Sequence, residues 1–428
     1  MPYCDPDQMI VADEKGQIKT RSSCPNQSCE QKGSHNISHF AGPYFLQYYL
    51  RNSKYYTSNI NSADAVLVYD YCYIQWLIAS THADEKNFPT EQVLNGYRAL
   101  SRLRRFVKHM GRDFVFFEAH PLSGAYISDR FCDNFGRSLH LVVEGAQRYM
   151  CPAVEDNRDF LVVPYSSPEF VEDIVTGEAH RDIDIFFQGH CSDHLLALSI
   201  RKFTIEYLEG LHLPSVQASC DKSNTHKDLR DLLRRSKFCL VIAGETASTR
   251  RLTDAMLAGC IPVFLGPPWH SLPLAQWVDY ASFAIFIELA GIRDMDIATP
   301  AVPFSEPPLD KSAKSVYQHN WWILDADISI VTRTIGSVSE IYPLLKAVPA
   351  KEVAQRQANL KKYESYFRYR RTPAEEADPS IRKQTATDAI LSAICAHVDR
   401  AAARPALHRK ESVLSMITGL FGRSGSAS

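Results

Sequence analysis

The sequence lacks three features, each of which would point to one class of protein: a long apolar run, a CxxC cysteine pair and an excess of one charge. Without about 18 consecutive apolar residues, no transmembrane helix is predicted within this sequence, and no signal peptide is recognised in it. Its eleven cysteines show no metal-site spacing, which argues against structural zinc. The 47 basic and 49 acidic residues give a net charge of −2, which argues against nucleic acid as a partner.

The chain does contain enough apolar material for two or three domains, since 45% of its 428 residues are hydrophobic. Continuous apolar runs alternate with helical patterns in two blocks, which is typical of parallel strands buried on both faces. The runs of the two blocks begin at Ala65, Phe114, Leu139 and Phe160, and at Ile183, Ser215, Phe238 and Ile261. The pattern predicts an α/β fold with two Rossmann-like domains that face a cleft.

Five segments are predicted along the chain. Residues 1–38 are polar and are expected to be loosely ordered, and residues 39–170 and 171–345 form the two Rossmann-like domains. Residues 346–405 add C-terminal helices, predicted over 351–370 and 381–400, and residues 406–428 form a flexible tail. The boundary between the two domains is placed in a linker over residues 164–180, which contains two prolines and a glycine.

The most informative stretch runs from residue 236 to residue 263. A predicted strand delivers the chain to Gly244, where a tight turn exposes backbone N–H groups. Ser248 or Thr249 can then cap a helix over about 249–258, whose amino end carries unpaired donors and a partial positive charge. Such a helix end, at the carboxyl end of a parallel strand, is a natural anion site.

Two arginines, Arg250 and Arg251, stand in the first turn of that predicted helix, where they oppose the helix dipole. One explanation is structural, because Glu245 and Asp254 can neutralise them. The other is a bound diphosphate, held by the helix end and one arginine, with Glu245 accepting hydrogen bonds from ribose hydroxyls. Both explanations stay open. Gly259 is predicted to end the helix before the next strand.

The same stretch resembles the signature of the exostosin family of glycosyltransferases (glycosyltransferase family 47), which runs as S-K-F-C-L, a Gly-acid pair, a Ser/Thr-Arg cluster, an acidic residue and A-G-C-I-P-V. Further segments resemble the family in the same order along the chain, over roughly residues 40 to 395. They are Ala63–Leu67, Gly111–Phe114, Arg181–Gly189, Leu272–Leu274, Ala281–Phe283, Phe367–Tyr369 and Asp388–Ile390.

The resemblance implies a GT-B fold and an inverting transfer of a sugar from a nucleotide diphosphate, usually UDP, to a polysaccharide or glycoprotein glycan. It assigns the acceptor side to 39–170 and the nucleotide sugar to 171–345. It also implies the Golgi lumen and an N-terminal membrane anchor, although no such anchor is predicted within this sequence. No metal cofactor is expected, because Asp182-Ile183-Asp184 matches a DxD motif but lies at the start of a strand, where a structural role is predicted. The UDP-sugar is then a co-substrate.

The predicted donor-binding residues are Gly189, Gly244, Glu245, Ser248, Thr249, Arg250, Arg251 and Asp254. On the acceptor side His120 is the predicted general base, because it follows a strand that ends toward the cleft, and an imidazole titrates near neutral pH. Glu118, two residues earlier, is the alternative base. The family often has His-Asp after this strand, whereas this chain has Glu118-Ala119-His120-Pro121.

Three functions of different kinds remain open from the sequence: a sugar-nucleotide-dependent transferase, a non-catalytic subunit that binds glycan or supports an active partner, and a sugar-nucleotide epimerase. The expected partners are a nucleotide sugar and a glycan, with self-association or association with another glycosyltransferase left open. Two further alternatives concern single features. The basic residues of 97–108 form either a solvated face or a face for an anionic ligand, and Cys24 and Cys29 form either a local disulfide or two thiols.

Overall fold

The structure is a computed structural model, and it describes most of the two predicted α/β blocks and of the C-terminal helices. The described residues are 10–12, 18–20, 42–69, 98–118, 135–143, 159–167, 180–191, 196–220, 226–244, 248–266, 272–290, 333–370, 373–376 and 384–403. Among the predicted site residues, His120 and Glu245 lie outside this set, as do Cys24 and Cys29.

A four-stranded parallel sheet forms the first block. Its strands follow the order of the sequence and are β3 (Val66–Tyr69), β4 (Phe114–Glu118), β5 (Leu139–Val142) and β6 (Phe160–Val162). The residues of β4 and β5 are buried on both faces, as expected for the apolar runs that predicted them.

A six-stranded parallel sheet forms the second block, in the order β12-β11-β10-β9-β7-β8. Its strands are β7 (Ile183–Gly189), β8 (Val216–Cys220), β9 (Ser236–Ile242), β10 (Ile261–Leu265), β11 (Ile285–Leu289) and β12 (Arg333–Ile335). Because the described part of the chain is built on two parallel sheets, the predicted α/β class and the GT-B-like arrangement are confirmed.

Helices cover both sheets. The α-helices are α1 over residues 42–51, α2 (Arg104–His109), α3 (Leu196–Gly210), α4 (His226–Arg235), α5 (Arg251–Ala258), α6 (Ile341–Lys346), α7 (Ala350–Tyr363) and α8 (Ala386–Ala403). Short 3₁₀ helices are found at Tyr280–Ser282, Val338–Glu340, Glu364–Phe367 and Pro373–Glu376. The prediction for 226–235 is confirmed, whereas the helix predicted over 351–370 ends at Tyr363 and continues as 3₁₀. None of the described helices combines the length and hydropathy needed to cross a bilayer.

The N-terminal segment contains regular structure that the sequence analysis did not predict. Strands β1 (Ile10–Ala12) and β2 (Ile18–Thr20) form an antiparallel pair. Each strand has three residues, which is too short for a period of two to be recognised in the sequence. The expectation of a loosely ordered 1–38 is therefore wrong for these six residues.

Two disulfides lie within the second sheet. Cys191, just after β7, bonds to Cys220 at the end of β8, and Cys239 of β9 bonds to Cys260, which precedes β10. The Cα atoms are 5.5 and 5.8 Å apart, within the range that a disulfide spans. Each bond therefore joins a pair of neighbouring strands.

Gly259 ends α5, as predicted. It adopts a left-handed conformation with φ of 67°, and its N–H donates to the carbonyls of Ala255 and Met256. A side chain here would also come within 2.8 Å of the Arg181 guanidinium, which donates to the Ala258 carbonyl at 3.0 Å. Arg181 thus satisfies a helix-end carbonyl with a cation, which the helix dipole favours.

The two sheets share one apolar core, which contains Val115 and Leu141 of the first sheet and Val241 and Phe264 of the second. C-terminal residues strengthen this connection. The Tyr369 hydroxyl, which follows α7, donates to the carbonyl of Pro164 after β6 at 2.8 Å. This bond therefore ties the segment after α7 to the end of β6.

Candidate active site at the junction of the two sheets

The strand order of the second sheet reverses between β7 and β9. From β7 the chain moves to β8 on one side, and β9 to β12 then follow on the other side of β7. In open α/β sheets, ligands bind at the carboxyl ends of the strands where the order reverses. Gly189 is the last residue of β7, and Gly244 lies two residues beyond the end of β9. The topology therefore brings the two predicted glycines to the two sides of this crevice.

Arg201, a residue of α3, bridges the ends of these two strands. One terminal guanidinium nitrogen donates to the His190 carbonyl and the other to the Ile242 carbonyl, each at 2.8 Å. The guanidinium carbon lies 5.3 Å from the centre of the Phe187 ring, and the residue is only 6% exposed. Arg201 thus places a buried positive charge beside the crevice and fixes the spacing of both loops.

Gly189 is glycine for a steric reason. A Cβ atom at this position would lie 3.1 Å from the Phe187 ring and 3.5 Å from the Arg201 guanidinium. A larger side chain would push the ring or the arginine away from its place. At Gly244 the nearest neighbour of a Cβ would be Arg201 at 3.4 Å, an ordinary contact. Of the two glycines, Gly189 is therefore the one at which Phe187 and Arg201 leave less room for a side chain.

Helix α5 begins later than predicted, and its first turn has a different cap. Arg250 occupies the N-cap position of α5, and its side chain forms no capping hydrogen bond there. The Thr249 hydroxyl accepts a hydrogen bond from the N–H of Arg251 at 3.3 Å. The Ser248 hydroxyl instead forms a 2.8 Å hydrogen bond with the Tyr165 hydroxyl. Of the two predicted capping residues, Thr249 accepts a hydrogen bond from a helical N–H, and Ser248 joins the helix entrance to the first sheet.

Asp254 is the centre of an ion-pair cluster at the start of α5. Its side chain is fully buried, and its Oδ2 lies 2.9 Å from the Arg251 Nη1 and 3.6 Å from the Arg250 Nε. Its Oδ1 accepts a 2.6 Å hydrogen bond from the hydroxyl of Ser167. Asp254 therefore neutralises both arginines, as the structural explanation requires, while 18–19% of each arginine side chain stays exposed.

The bonds from Tyr165 and Ser167 define where the candidate site lies. Both residues follow β6 of the first sheet, and both hold residues of the loop and helix after β9. A small cavity of about 10 Å³ lies at this junction and is lined by Val143 and Tyr165 on one side and by Val241, Ser248 and Thr249 on the other. The exposed parts of Arg250 and Arg251 belong to the same helix end.

Glu118, the alternative base, is tied to a buried histidine. It is 3% exposed, and its Oε1 lies 2.9 Å from the Nδ1 of His140. The other ring nitrogen of His140 lies 3.0 Å from the Phe135 carbonyl, and the ring stacks between Phe116 and Phe160. The sequence places Glu118 at the end of β4, as expected, but its side chain turns into this aromatic cluster. In the structure, the partner of the Glu118 carboxylate is therefore His140, not an acceptor hydroxyl.

Asp182 and Asp184 lie at the opposite end of the second sheet, at the amino end of β7. Asp182 pairs with Arg235, whose hydrogen bond lowers the pKa of this carboxyl to about 2. Asp184 contacts Lys237 at 2.7 Å and Lys346 at 2.9 Å. Burial raises its pKa, but hydrogen bonds from the two lysines and Ser215 outweigh that effect and lower it to about 2. The predicted place of this DxD pair at the start of a strand is confirmed, and both carboxylates form ion pairs there.

No group of three or more His, Cys, Asp or Glu side chains in the described ranges is arranged to hold a metal ion. The positive charge near the crevice comes from arginine side chains. Arg201, Arg250 and Arg251 all belong to the helices that follow β7 and β9.

Two parallel sheets, with a reversal of strand order in the second and arginines at a helix end, are typical of GT-B-like glycosyltransferase folds. The exostosin GT47 domain family model matches residues 14–300. The chain therefore belongs to the exostosin GT47 family.

Three relatives show what the chain is similar to. It is 39% identical to exostosin-1 of Drosophila melanogaster over 88 residues, which is 19% of this chain and 11% of the relative. It is 27% identical over 223 residues to a probable glucuronosyltransferase of Oryza sativa subsp. japonica, covering 45% and 50%. It is also 27% identical over 128 residues to a probable arabinosyltransferase of Arabidopsis thaliana, covering 30% and 28%. The chain spans at most half the length of these relatives.

Proposed function

We propose that this chain is a glycosyltransferase that moves a sugar from a UDP-sugar, with inversion, to a hydroxyl of a polysaccharide or glycoprotein glycan. Membership of the exostosin GT47 family supports the reaction class, as do the glycosyltransferase names of the rice and Arabidopsis relatives. The observation that carries the proposal is the strand-order reversal between β7 and β9, with Gly189, Gly244 and the start of α5 beyond the carboxyl ends of these two strands.

On the donor side, the diphosphate is proposed to lie against the start of α5. The first backbone N–H groups of α5 are proposed to face the diphosphate there, and the helix dipole adds a partial positive charge. Arg250 or Arg251 supplies a charged hydrogen bond to the phosphates, and Asp254 orients it. Glu245 is proposed to accept hydrogen bonds from the ribose hydroxyls.

On the acceptor side, His120 is proposed to act as the general base. It takes the proton of the acceptor hydroxyl as that oxygen bonds to the anomeric carbon and the bond from this carbon to the UDP oxygen breaks. The electron pair of the broken bond leaves with UDP, whose charge the arginines and the helix end stabilise. Attack from the face opposite to UDP inverts the anomeric centre.

The proposed donor chemistry uses no metal ion. The task of stabilising the leaving diphosphate falls to the cationic side chains and to the helix end, and the DxD pair at 182–184 is occupied by three basic residues. The nucleotide sugar and the glycan are the proposed partners, in the Golgi lumen. Association with another glycosyltransferase stays a prediction.

A second candidate is a non-catalytic subunit of the same family, and one observation favours it. The carboxylate of Glu118 is engaged by the buried His140, which leaves the acceptor side without that base. In this case UDP still binds at the crevice, but no sugar is transferred.

Calorimetry and UDP release test these proposals together. UDP should bind in excess EDTA, and an affinity that disappears on chelation would contradict the metal-free site. A panel of UDP-sugars is then incubated with and without glycan acceptors, with mass analysis of the products. Acceptor-dependent UDP release identifies the transferase, binding without release identifies the subunit, and a changed sugar that is still attached to UDP identifies an epimerase.

A further inference from the structure

A second cavity lies at the amino end of the second sheet, at the opposite end from the candidate active site. It has a volume of about 250 Å³, and it is enclosed by the first residues of β7 and β9 and by the helices α6 and α7. Its polar lining includes Asp184 of β7, Lys237 of β9, Lys346 of α6 and Gln357 of α7. We call it the amino-end cavity. Its volume corresponds to about eight water molecules at about 30 Å³ each, so a ligand of about ten non-hydrogen atoms fits into it.

Apolar side chains form the walls of the amino-end cavity. Ile185 and Phe238 are buried and lie side by side on β7 and β9. Leu345 of α6 belongs to the same buried apolar cluster, and Val348 and Val353 pack against it. These walls fit the apolar body of a ligand, whereas the hydroxyl groups of a free sugar would lose their hydrogen bonds to water there.

Three charged side chains belong to the lining of the cavity. The carboxylate of Asp184 lies 2.7 Å from the Lys237 Nζ and 2.9 Å from the Lys346 Nζ. Two positive charges and one negative charge leave the lining with a net charge of +1. Each ammonium group has three N–H donors and gives one of them to Asp184. Within the described ranges no other acceptor bonds to either ammonium group, so both can donate to an anion.

The two lysines are also accessible to a ligand that arrives from water. Their side chains are 36% and 57% exposed, whereas that of Asp184 is 9% exposed. The buried carboxylate thus holds two accessible cations side by side at the cavity. An anion can contact both ammonium groups without displacing a protein group.

Gln357 adds a polar atom to the wall that α7 contributes. Its Nε2 is buried and has no hydrogen-bond partner among the residues that the structure describes. A buried donor without a partner is rare, because it has given up its hydrogen bonds to water and gained nothing in return. A polar atom of a bound ligand would satisfy this donor.

The α7 wall is held in place by bonds that do not involve the cavity lining. The Arg356 Nη1 donates to the Ala284 carbonyl at 2.8 Å, and the Asn359 Nδ2 donates to the Ser282 carbonyl at 3.0 Å. Glu352, one turn before Arg356, contacts its guanidinium at 2.9 Å. Because the cavity is formed before a ligand arrives, binding requires little further ordering of the chain.

We propose that the amino-end cavity binds a small amphiphilic carboxylate, whose anionic group contacts Lys237 and Lys346 and whose apolar body lies against the walls. A monoanion neutralises the net charge of the lining, and an apolar body gains free energy when the walls remove it from water. An inorganic anion would use the cations and leave the walls bare. A neutral apolar molecule would use the walls and leave the cations without a counter-charge.

The amino-end cavity is separate from the candidate active site. Within β7, Gly189 follows Asp184 by five residues, which is a distance of about 16 Å at about 3.3 Å per residue. UDP is proposed to bind at the carboxyl ends of β7 and β9, and the cavity lies at their amino ends. The inference therefore does not depend on the proposed transferase activity.

Calorimetry of the full chain with octanoate as the probe tests the proposal. We expect saturable binding of one octanoate per chain at concentrations at which octanoate forms no micelles. Octanamide keeps the apolar body but lacks the charge, so it should bind about tenfold more weakly or less. Glucuronate, a carboxylate with a hydrophilic body, should show no binding that competes with octanoate, and excess UDP should not displace octanoate.

Two variants test the two parts of the site. Lys346→Gln removes one cation but leaves Asp184 paired with Lys237, so the chain should fold and bind octanoate about tenfold more weakly. Ala354→Phe adds a ring at an exposed position of α7 that lines the cavity, and it should abolish binding by filling the space.

Each variant has a matched control on the same helix. Lys361→Gln removes an exposed cation of α7 outside the lining, and Ala358→Phe adds a ring at an exposed position outside it. Both controls should bind octanoate like the unaltered chain, and circular dichroism checks that every variant is folded. The proposal is overturned if octanoate does not bind with saturation, if octanamide binds equally well, if UDP displaces octanoate, or if the folded cavity variants bind like their controls.

Discussion

The cluster around Asp254 allows a sharp test of what holds the start of α5. Asp254→Asn keeps the size of the side chain and its capacity to accept a hydrogen bond from Ser167, but it removes the negative charge next to Arg250 and Arg251. Loss of one partner from a fully buried ion pair costs about 3–5 kcal/mol. Because almost a fifth of each arginine is exposed, water recovers part of this loss, and we expect the free energy of unfolding to fall by about 2–3 kcal/mol.

The assay is urea denaturation, followed by tryptophan fluorescence, with Asp279→Asn as the control. Asp279 is an exposed aspartate of the same half of the chain, so its replacement should change the free energy of unfolding by less than about 0.5 kcal/mol. Ser167→Ala, which removes the 2.6 Å donor, should cost about 1.5–3 kcal/mol. The double variant should lose less than the sum, because both changes act on one carboxylate. If Asp254→Asn unfolds like the control, the cluster does not stabilise the helix and the reasoning is wrong.

Four further predictions concern the site and its support. Arg250→Ala or Arg251→Ala, whichever residue holds the diphosphate, should weaken UDP binding by about 1.5–3 kcal/mol in calorimetry, and normal binding by both variants would leave only the structural explanation. Arg201→Lys keeps the charge but cannot donate to both strand ends, so the melting temperature should fall and the UDP affinity of the folded protein should fall by about 1–2 kcal/mol; an unchanged UDP affinity of the folded variant would indicate a merely structural role. Since the pKa of Asp184 is lowered from 3.8 to about 2, its contribution to stability is complete above pH 4 and is lost as pH falls toward 2, so Asp184→Asn should flatten the acid limb of a stability profile. His120→Ala should leave UDP affinity intact and slow transfer by about 10²–10⁴-fold, and a variant that retains a third of the activity would exclude His120 as the base.

The parts of the fold that the sequence predicts are those with a strong local signal. β4 and β5 are continuous apolar runs, and α4 has a clear helical period, so each is found close to its predicted bounds. β12 is Arg-Thr-Ile, with two exposed residues out of three, and no local pattern distinguishes it from a loop. It is a strand because β11 offers it a parallel partner.

Contacts between distant residues could not be predicted in this way. Arg201 looks like an ordinary polar residue of an amphipathic helix, and its role depends on β7 and β9 being neighbours, which the sequence order does not show. The bond between Tyr165 and Ser248 joins residues 83 positions apart. The disulfides illustrate the same limit, because with eleven cysteines many pairings are compatible with the sequence.

The geometry of the candidate site depends on the C-terminal helices as well as on the loops that line it. His397 of α8 lies 3.1 Å from the Asp159 carboxylate and 2.7 Å from the Arg112 carbonyl, and Tyr369 bonds to Pro164. Asp159 and Pro164 flank β6, the strand that delivers Tyr165 and Ser167 to α5. The chain therefore returns from the second sheet to fix the segment of the first sheet that contacts the donor side. Because these bonds hold the C-terminal segment against the first block, the position of the loop that reaches α5 is set in part by residues that need not touch a ligand.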